Sequence, residues 1–251
     1  MQIADKTILI TGANRGIGEA LVREALNRGA KRVFAGTRGA LPNGALPNTG
    51  PRVTALTLDV TNASQIQRAV DKVAALDVLI NNAGIAIPDD LTDLDALQKH
   101  LDVNLLGMVK VTQAFLPLLT RSKGAIVNNL SMTSVAALPI LPSYSISKAA
   151  ALSLTQSLRA LLKRQGVSVH AVLPGTVDTD MTRGYDFPKV SPESVAAGIF
   201  DGVERGEEEI FPDPTSQTLA DGWRAGVAKA LERRINAIAL EGAQIDLRDR
   251  L

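Results

Sequence analysis

The stretch TGANRGIG, at residues 11–18, follows a short apolar run and opens a pattern typical of a helix over residues 16–28. In that setting Gly12 allows a tight turn out of a strand, Gly16 leaves space for a diphosphate beside the backbone, and Gly18 lets the helix pack closely on a sheet. The start of the helix then offers free N–H groups to an anion. The spacing G-x-x-x-G-x-G differs from the general fingerprint G-x-G-x-x-G, and a purely structural turn also uses glycines. The position of the glycine loop between a predicted strand and a predicted helix nevertheless predicts dinucleotide binding.

Short β-rich runs alternate with longer helical patterns along the rest of the chain. Strands are predicted at residues 7–11, 32–37, 53–58, 78–80, 124–130, 167–173 and 209–211, and helices at 16–28, 63–75, 94–119, 143–164 and 191–205. This alternation predicts an α/β fold with a doubly wound, Rossmann-type parallel sheet covered by helices on both faces. No Pro- or Gly-rich linker divides the chain, so a single domain is expected over residues 1–251, with residues 235–251 as a candidate peripheral tail. Residues 39–48 repeat Gly-Ala-Leu-Pro-Asn twice and predict a loop without an assigned function.

The composition excludes several classes of function. The chain has 251 residues, with 27 Lys and Arg against 26 Asp and Glu, so its charge gives no reason to expect nucleic acid or an anionic membrane as partner. The absence of Cys excludes disulfides, thiol catalysis and Cys-ligated metals. Only two histidines are present, so no metal site is expected. His100 is expected on a helix surface and His170 in a strand.

The sequence shows neither a secretory signal nor an uninterrupted apolar run of membrane-spanning length. A cytoplasmic protein is therefore expected.

The end of the second predicted strand bears on the choice of dinucleotide. NAD-binding proteins commonly place a carboxylate there, where it accepts from the ribose 2′-OH. This strand ends in Thr37-Arg38 instead, and Arg38 can pair with a 2′-phosphate, with Arg15 as a second cation. Both arginines could equally be solvated surface residues. Together with the missing acid they favour NADP(H) over NAD.

Tyr144 and Lys148 lie four residues apart, on one face of the predicted helix at residues 143–164. A nearby cation favours the charged form of a phenol, so the lysine can make the tyrosine a usable acid and base near neutral pH. An ordinary surface pair would show the same spacing.

With these motifs in place, the chain resembles the short-chain dehydrogenase/reductase family over nearly its whole length. The resemblance rests on the glycine loop, the Asn81-Asn82-Ala83-Gly84 segment, the ordered set Asn104, Ser131, Tyr144 and Lys148, and the segment PGTVDT at residues 174–179. Each motif alone is moderately specific, but all of them in this order are highly specific. The length fits the compact members of the family.

The resemblance implies a role for each residue of the ordered set. Tyr144 would protonate the carbonyl oxygen during reduction, and Lys148 would lower its pKa and bond the nicotinamide ribose. Ser131 would donate to the same carbonyl oxygen. Asn104 would hold a water beside Lys148 in a proton relay. From the residues alone, Ser131 would be interpreted as a helix cap and Asn104 as part of a solvated polar face.

The resemblance also implies the residues that hold the cofactor. Asp59 would accept from the adenine amino group, although a helix-capping role fits it equally well by sequence. The predicted set is Gly12, Asn14, Arg15, Gly16, Ile17, Gly18, Thr37, Arg38, Asp59, Val60, Asn82, Ala83, Gly84, Tyr144, Lys148, Pro174, Gly175, Val177 and Thr179.

Apolar residues flank this set on the substrate side and suggest a pocket for an uncharged carbonyl compound. Ordinary core and loop packing would explain the same pattern. The candidate residues are Met132, Leu138, Leu141, Thr176, Met181 and Tyr185.

The predicted function is reversible, NADPH-dependent reduction of a ketone or aldehyde. One alternative is a 3-oxoacyl reductase that acts on an acyl carrier, which would need a basic patch beside the site, with Arg121, Lys123, Arg159, Lys163 and Arg164 as candidates. Another is a non-catalytic NADP-binding regulator. The family's usual assembly implies a homotetramer, with a homodimer as the other option, and the small residues 149–151 would permit close helix pairing, although packing within the chain explains them equally.

Overall fold

A computed structural model describes residues 1–39 and 50–242. Most of the duplicated segment at residues 39–48, and the tail after residue 242, lie outside the described residues. One sheet of seven parallel strands runs through the described part, in the order β3-β2-β1-β4-β5-β6-β7. The strands are β1 (Thr7–Thr11), β2 (Arg32–Thr37), β3 (Val53–Thr57), β4 (Val78–Asn81), β5 (Ala125–Asn129), β6 (Ser168–Val172) and β7 (Glu209–Ile210). The predicted fold class is confirmed.

Helices cover both faces of the sheet, so its central strands are apolar on both sides. In β1, Ile8 and Ile10 pack towards one helical layer and Leu9 packs towards the other, since side chains alternate along a strand. The helices are α1 (Gly16–Asn27), α2 (Ala63–Lys72), α3 (Leu94–His100), α4 (Met108–Ser122), α5 (Pro142–Leu162), α6 (Pro192–Arg205), α7 (Pro214–Ala225) and α8 (Val227–Gly242). Helices α1 and α6 form one layer, and α2, α4 and α5 contribute to the other.

The single helix predicted at residues 94–119 consists of α3, a π-helical stretch Leu101–Gly107, and α4. By length and composition alone the whole stretch Leu94–Ser122 could cross a membrane. In the fold, however, Val111, Phe115 and Leu119 are buried in the layer that covers the sheet. A buried core helix passes the same test, so the stretch is weak evidence for membrane insertion.

The C-terminal part adds two helices to the predicted set. Helix α7 begins after the capping residue Asp213, and Trp223 packs on a third apolar cluster. Helix α8 is anchored by the buried Lys229, whose Nζ atom donates to Glu209 at 2.9 Å and to Glu232 at 3.0 Å. Residues 235–242 of the predicted tail continue this helix.

Candidate active site

A cleft of about 980 Å³ opens at the carboxyl ends of β1, β4, β5 and β6, where the strand order reverses. Open α/β sheets bind their ligands at this place. All residues predicted to bind the cofactor or to line the substrate pocket are described, and all of them except Thr37 line the cleft. Ser131, Tyr144 and Lys148 of the predicted catalytic set line it as well, whereas Asn104 is not among its lining residues in the described chain.

The glycine loop forms one end of the cleft. Gly12 and Gly16 have positive φ angles of 65° and 53°, which side-chain-bearing residues rarely adopt. The N-cap residue of α1, Arg15, makes no side-chain hydrogen bond to the first turn. Amide groups at the start of α1 are therefore left for a ligand, as an anion site requires.

The predicted Asn-Asn-Ala-Gly segment fixes this loop from the neighbouring strand. Asn82 Nδ2 donates to the carbonyl oxygens of Thr11 at 3.0 Å and Gly12 at 3.2 Å. In return, Thr11 Oγ1 accepts from the backbone N–H groups of Asn82 and Ala83. Asn129 Nδ2 completes the set by donating to Asn82 Oδ1 at 2.9 Å. The segment thus holds the glycine loop in shape, in addition to lining the cleft.

The ends of β2 and β3 lie beside the glycine loop. Thr37 is buried and its hydroxyl donates to the Gly39 carbonyl oxygen, whereas Arg38 lines the cleft. Burial acts to raise the pKa of Asp59, but hydrogen bonds from Thr61 and the charge of Arg38 outweigh it and hold the pKa below its usual value. Asn62, rather than Asp59, caps α2. Asp59 is therefore available at the cleft as a carboxylate.

Arg15 reaches across the mouth of the cleft. Its Nη1 atom lies 3.1 Å from Oδ2 of Asp180, which follows the predicted PGTVDT segment. The two side chains are 64% and 41% exposed, and Asp180 also pairs with Arg183. Arg15 thus already has a carboxylate partner, which the sequence did not indicate.

Tyr144 and Lys148 lie in the first turns of α5 and form the other end of the cleft. Lys148 Nζ donates to the Asn129 carbonyl oxygen at 2.9 Å and lies 5.6 Å from the centre of the Tyr144 ring. Burial lowers the pKa of Lys148 to about 8. Burial also raises the pKa of Tyr144 to about 12, against a hydrogen bond with Ser131 that acts to lower it. The expected net lowering of the Tyr144 pKa is not found, because desolvation disfavours the phenolate.

Ser131 and Asn104 support this end in different ways. Ser131 follows β5, and its Oγ atom accepts from the Thr133 N–H at 3.1 Å, so it both caps a short turn and faces the cleft. Asn104 is buried in the π-helical stretch, where its side chain bonds both the N–H and the carbonyl of Ile85 and donates to Ser147 Oγ. The amide therefore fixes the segment that carries Ile85.

The expectation of a surface position for His100 is wrong. The ring is fully buried, with Nδ1 2.7 Å from the Ala96 carbonyl oxygen and Nε2 accepting from the Ile87 N–H at 3.0 Å. It meets the Tyr144 ring edge-on, with centroids 6.4 Å apart. One histidine thus packs against the predicted acid and holds the segment after β4. His170 lies in β6, as predicted.

Apolar side chains line the cleft beyond Tyr144. Met132, Leu138 and Leu141 come from the chain before α5, and Met181 comes from the segment after β6, where Tyr185 stacks on Phe187 with centroids 6.0 Å apart. Several further residues that line the cleft were not predicted, among them Ile85, Ala86, Val103, Thr215 and Leu219. The Asp213-Pro214 pair, typical of a helix start, could have indicated α7 and hence Thr215 and Leu219.

The basic residues required by the acyl-carrier alternative lie away from the cleft. Arg159 points into the interior, where its Nη1 atom lies 2.9 Å from Glu209 and 2.7 Å from Glu232. The remaining candidates are placed at or near the C-terminal ends of α4 and α5, before the starts of β5 and β6. These residues therefore lie at the amino-terminal ends of the strands, opposite the carboxyl ends that bear the cleft.

Within residues 1–39 and 50–242, no group of three or more His, Asp or Glu side chains is arranged to hold a metal ion.

Comparison with protein families and curated proteins gives consistent matches. A family model described as short chain dehydrogenase matches residues 6–187. An uncharacterized oxidoreductase of Staphylococcus epidermidis is 33% identical over 208 residues, which cover 79% of this chain and 90% of that protein. An uncharacterized oxidoreductase of Staphylococcus aureus strain USA300 is 34% identical over 209 residues, covering 78% and 90%.

Solved structures show the same likeness. A short chain dehydrogenase from Burkholderia cenocepacia, in complex with NADP, has a TM-score of 0.83 and 37% identity, covering 93% of this chain and 98% of that one. A short chain dehydrogenase/reductase from Burkholderia phymatum, in complex with NAD, has a TM-score of 0.76 and 21% identity, covering 89% and 96%. The second likeness, at that identity, concerns the fold alone.

Proposed function

This chain belongs to the short-chain dehydrogenase/reductase family of oxidoreductases, and from that premise we propose that it reduces a ketone or aldehyde to the alcohol with NADPH. The observation that carries the proposal is one continuous cleft. It joins a glycine loop suited to a diphosphate to the half-buried Tyr144, with the buried Lys148 and Ser131 beside it and apolar walls beyond.

The residues present fit a dinucleotide. A Cβ atom at Gly12 would lie 2.9 Å from the Ala83 Cα atom, so glycine is required for the loop to pack on the segment after β4. Gly12, Gly16 and Gly18 all line the cleft, where they offer backbone without a side chain. Bound there, NADPH supplies the hydride. In this proposal Asp59 would hold the adenine, the start of α1 the diphosphate, and Lys148 the nicotinamide ribose.

NADPH is proposed over NADH because of Arg38. It lines the cleft at the end of β2, where the sequence has no carboxylate to accept from a 2′-OH or to repel a phosphate. The Burkholderia cenocepacia relative, at 37% identity, has NADP bound. Both observations support the choice.

Tyr144 acts as the proton donor in this proposal. With a pKa near 12, its hydroxyl is protonated at neutral pH and has a proton to donate. The Ser131 hydroxyl donates to the same carbonyl oxygen and stabilises the negative charge that develops there. The nearby Lys148 ammonium stabilises the tyrosinate that remains after proton transfer. In this proposal Asn104 holds the relay water through an oxygen atom, because both of its side-chain N–H groups already donate, to Ile85 and to Ser147.

The apolar walls favour a small, uncharged carbonyl compound as substrate. A carrier-linked 3-oxoacyl substrate is not favoured, because the candidate basic residues lie at the opposite edge of the sheet or, like Arg159, point inward. A non-catalytic regulator would have no need to bring Ser131, Tyr144 and Lys148 together at one end of the cleft.

A substrate panel tests the proposal. Purified protein is incubated with aliphatic and aromatic ketones and aldehydes, or with a carrier-linked 3-oxoacyl substrate, each with NADPH or NADH, and cofactor oxidation is followed at 340 nm. We expect turnover of uncharged carbonyls with NADPH. Turnover of the carrier-linked substrate alone would favour the other reductase, and NADPH binding with no turnover of any substrate would favour the regulator.

We further propose a homotetramer in the cytoplasm. Ile146 and Ala149 lie on the exposed face of α5, where a second helix could pack, whereas Ala151 is buried within the chain and serves intrachain packing. Light scattering at micromolar concentration tests the assembly. A monomer would contradict it and would mean that the exposed face of α5 contacts solvent only.

A further inference from the structure

Helix α7 lies outside the matched family region, which ends at residue 187, yet it forms part of the cleft wall. Thr215 and Leu219, from its first two turns, line the cleft. Its start is fixed by Asp213, whose side chain is 2% exposed. This residue connects the helix to the cofactor side of the cleft.

The Asp213 carboxylate has two kinds of partner. Oδ1 accepts from the Ser216 N–H at 3.0 Å, which is ordinary N-capping of α7. Oδ2 accepts from the Ser216 hydroxyl at 2.8 Å and from the Gly175 N–H at 2.8 Å. Gly175 is 38 residues earlier in the chain, so the last bond has no part in capping.

Gly175 is held closely against this carboxylate. A Cβ atom at position 175 would lie 3.0 Å from Asp213 Oδ1 and 3.3 Å from Thr215 Cβ. Gly175 also lines the cleft, in the segment that follows β6. A buried, charged acceptor at 2.8 Å fixes the backbone more firmly than a neutral one.

We propose that Asp213 is a positioning residue that sets the place of Gly175, and through it the wall of the cleft that receives the nicotinamide. This rests on the proposed function, in which that end of the cleft takes the nicotinamide. Helix α7 is accordingly part of the active site and adjusts the cofactor wall, in addition to bordering the substrate.

Two variants separate positioning from capping. Asp213→Ser keeps a good N-cap oxygen, but one short side chain cannot serve Ser216 and also reach Gly175. Ser216→Ala, the matched control, removes hydroxyl contacts at the same cap and leaves the Asp213–Gly175 bond. Asp213→Thr, which is also an N-cap residue and fills more of the space, replaces Asp213→Ser if that variant does not fold.

Hydrogen exchange of the Gly175 amide is the first measurement, since it needs no cofactor. We expect exchange at least about tenfold faster than wild type in Asp213→Ser, because a protecting hydrogen bond is lost, and unchanged exchange in Ser216→Ala. If the Gly175 amide of Asp213→Ser exchanged at the wild-type rate, the proposal would be overturned, whether or not the protein binds a dinucleotide. If the wild-type protein did not bind NADPH, that result would count against the proposed function instead.

Ligand affinity is the second measurement. NADPH is compared with 2′,5′-ADP, which lacks the nicotinamide half. We expect Asp213→Ser to weaken NADPH binding about tenfold, which corresponds to about 1.4 kcal/mol, and to leave 2′,5′-ADP binding nearly unchanged. Ser216→Ala is expected to leave the ratio of the two dissociation constants at its wild-type value. Equal weakening of both ligands in Asp213→Ser would show general destabilisation and overturn the proposal.

Discussion

The two ends of the cleft are built in opposite ways. At the glycine-loop end, the cleft presents backbone amides and charged side chains near solvent, such as the exposed Arg15–Asp180 pair. At the other end, Lys148 is buried and Tyr144 is half-buried, and desolvation moves their pKa values to about 8 and about 12. Exposed charges interact weakly because water and salt screen them, whereas buried ones do not have that screening. The buried end should therefore control the rate, and the exposed end should adjust cofactor preference in smaller steps.

Removal of the Tyr144 hydroxyl should have the largest effect. Tyr144→Phe is expected to lower kcat by about 10² to 10⁴, the usual contribution of a positioned acid, while NADPH affinity changes little. Tyr185→Phe deletes the same group farther along the cleft and should have a far smaller effect on kcat. Steady-state kinetics and NADPH fluorescence titration measure the two quantities. Near-normal reduction by Tyr144→Phe would show that the buried end does not carry the proton transfer.

The pKa of Lys148 near 8 predicts the pH dependence of reduction. Lys148 is charged below this pH and loses its proton as pH rises through it, while Tyr144 stays protonated up to about 12. We expect kcat/KM for reduction to be level near pH 7 and to fall by up to about tenfold per pH unit above 8.

Unfolding is not expected to cause that fall. Between the folded pKa of about 8 and the ordinary value of 10.5, the unfolded chain binds a proton at Lys148 that the folded chain does not. The contribution of this residue to stability therefore rises with pH in this window. Circular dichroism over the same range is the control. A flat rate profile to pH 10 would contradict the assignment of Lys148.

At the exposed end, Arg38 should determine cofactor preference. Arg38→Ala is expected to raise KM for NADPH roughly ten- to hundredfold and to change KM for NADH little, since a charge-assisted contact contributes about 1.5–3 kcal/mol. Arg121→Ala, which removes the same charge at the far edge of the sheet, is the control. A carboxylate at the end of β2 would favour NADH, but Thr37 is a poor position at which to introduce one, because its side chain is buried. Equal use of NADH and NADPH by the wild type would refute the role of Arg38.

The Arg15–Asp180 pair should give the smallest change. Asp180→Asn releases Arg15 towards the phosphates, so KM for NADPH should fall by no more than roughly fivefold, and less at high salt, as for an exposed pair. Asp186→Asn removes the same charge six residues later and is the matched control. A change in KM for NADPH as large as that caused by Arg38→Ala would show that solvent does not screen the charges at this end of the cleft.

Sequence reasoning worked best where a local motif has one physical cause. The glycine loop, the strand pattern and the Tyr144/Lys148 spacing follow from turn geometry and helix periodicity, and the structure brings these residues to one cleft. It failed for His100, because periodicity does not tell a solvent-facing position from one covered by another segment, here the chain at Ile87. It also gave the wrong direction for the Tyr144 pKa, since burial depends on neighbours distant in sequence.

The order of strands and helices along the chain, the loop that suits a diphosphate and the pairing of a tyrosine with a lysine are readable from the amino-acid sequence, because each depends on residues within a few positions of one another. Which other residues complete the cleft, and how far the pKa values of its side chains shift, depends on the packing of the whole chain. It placed Asp213 on Gly175, Asp180 on Arg15 and His100 against Tyr144. These contacts join segments that local patterns treat independently, and desolvation of a group depends on everything packed around it.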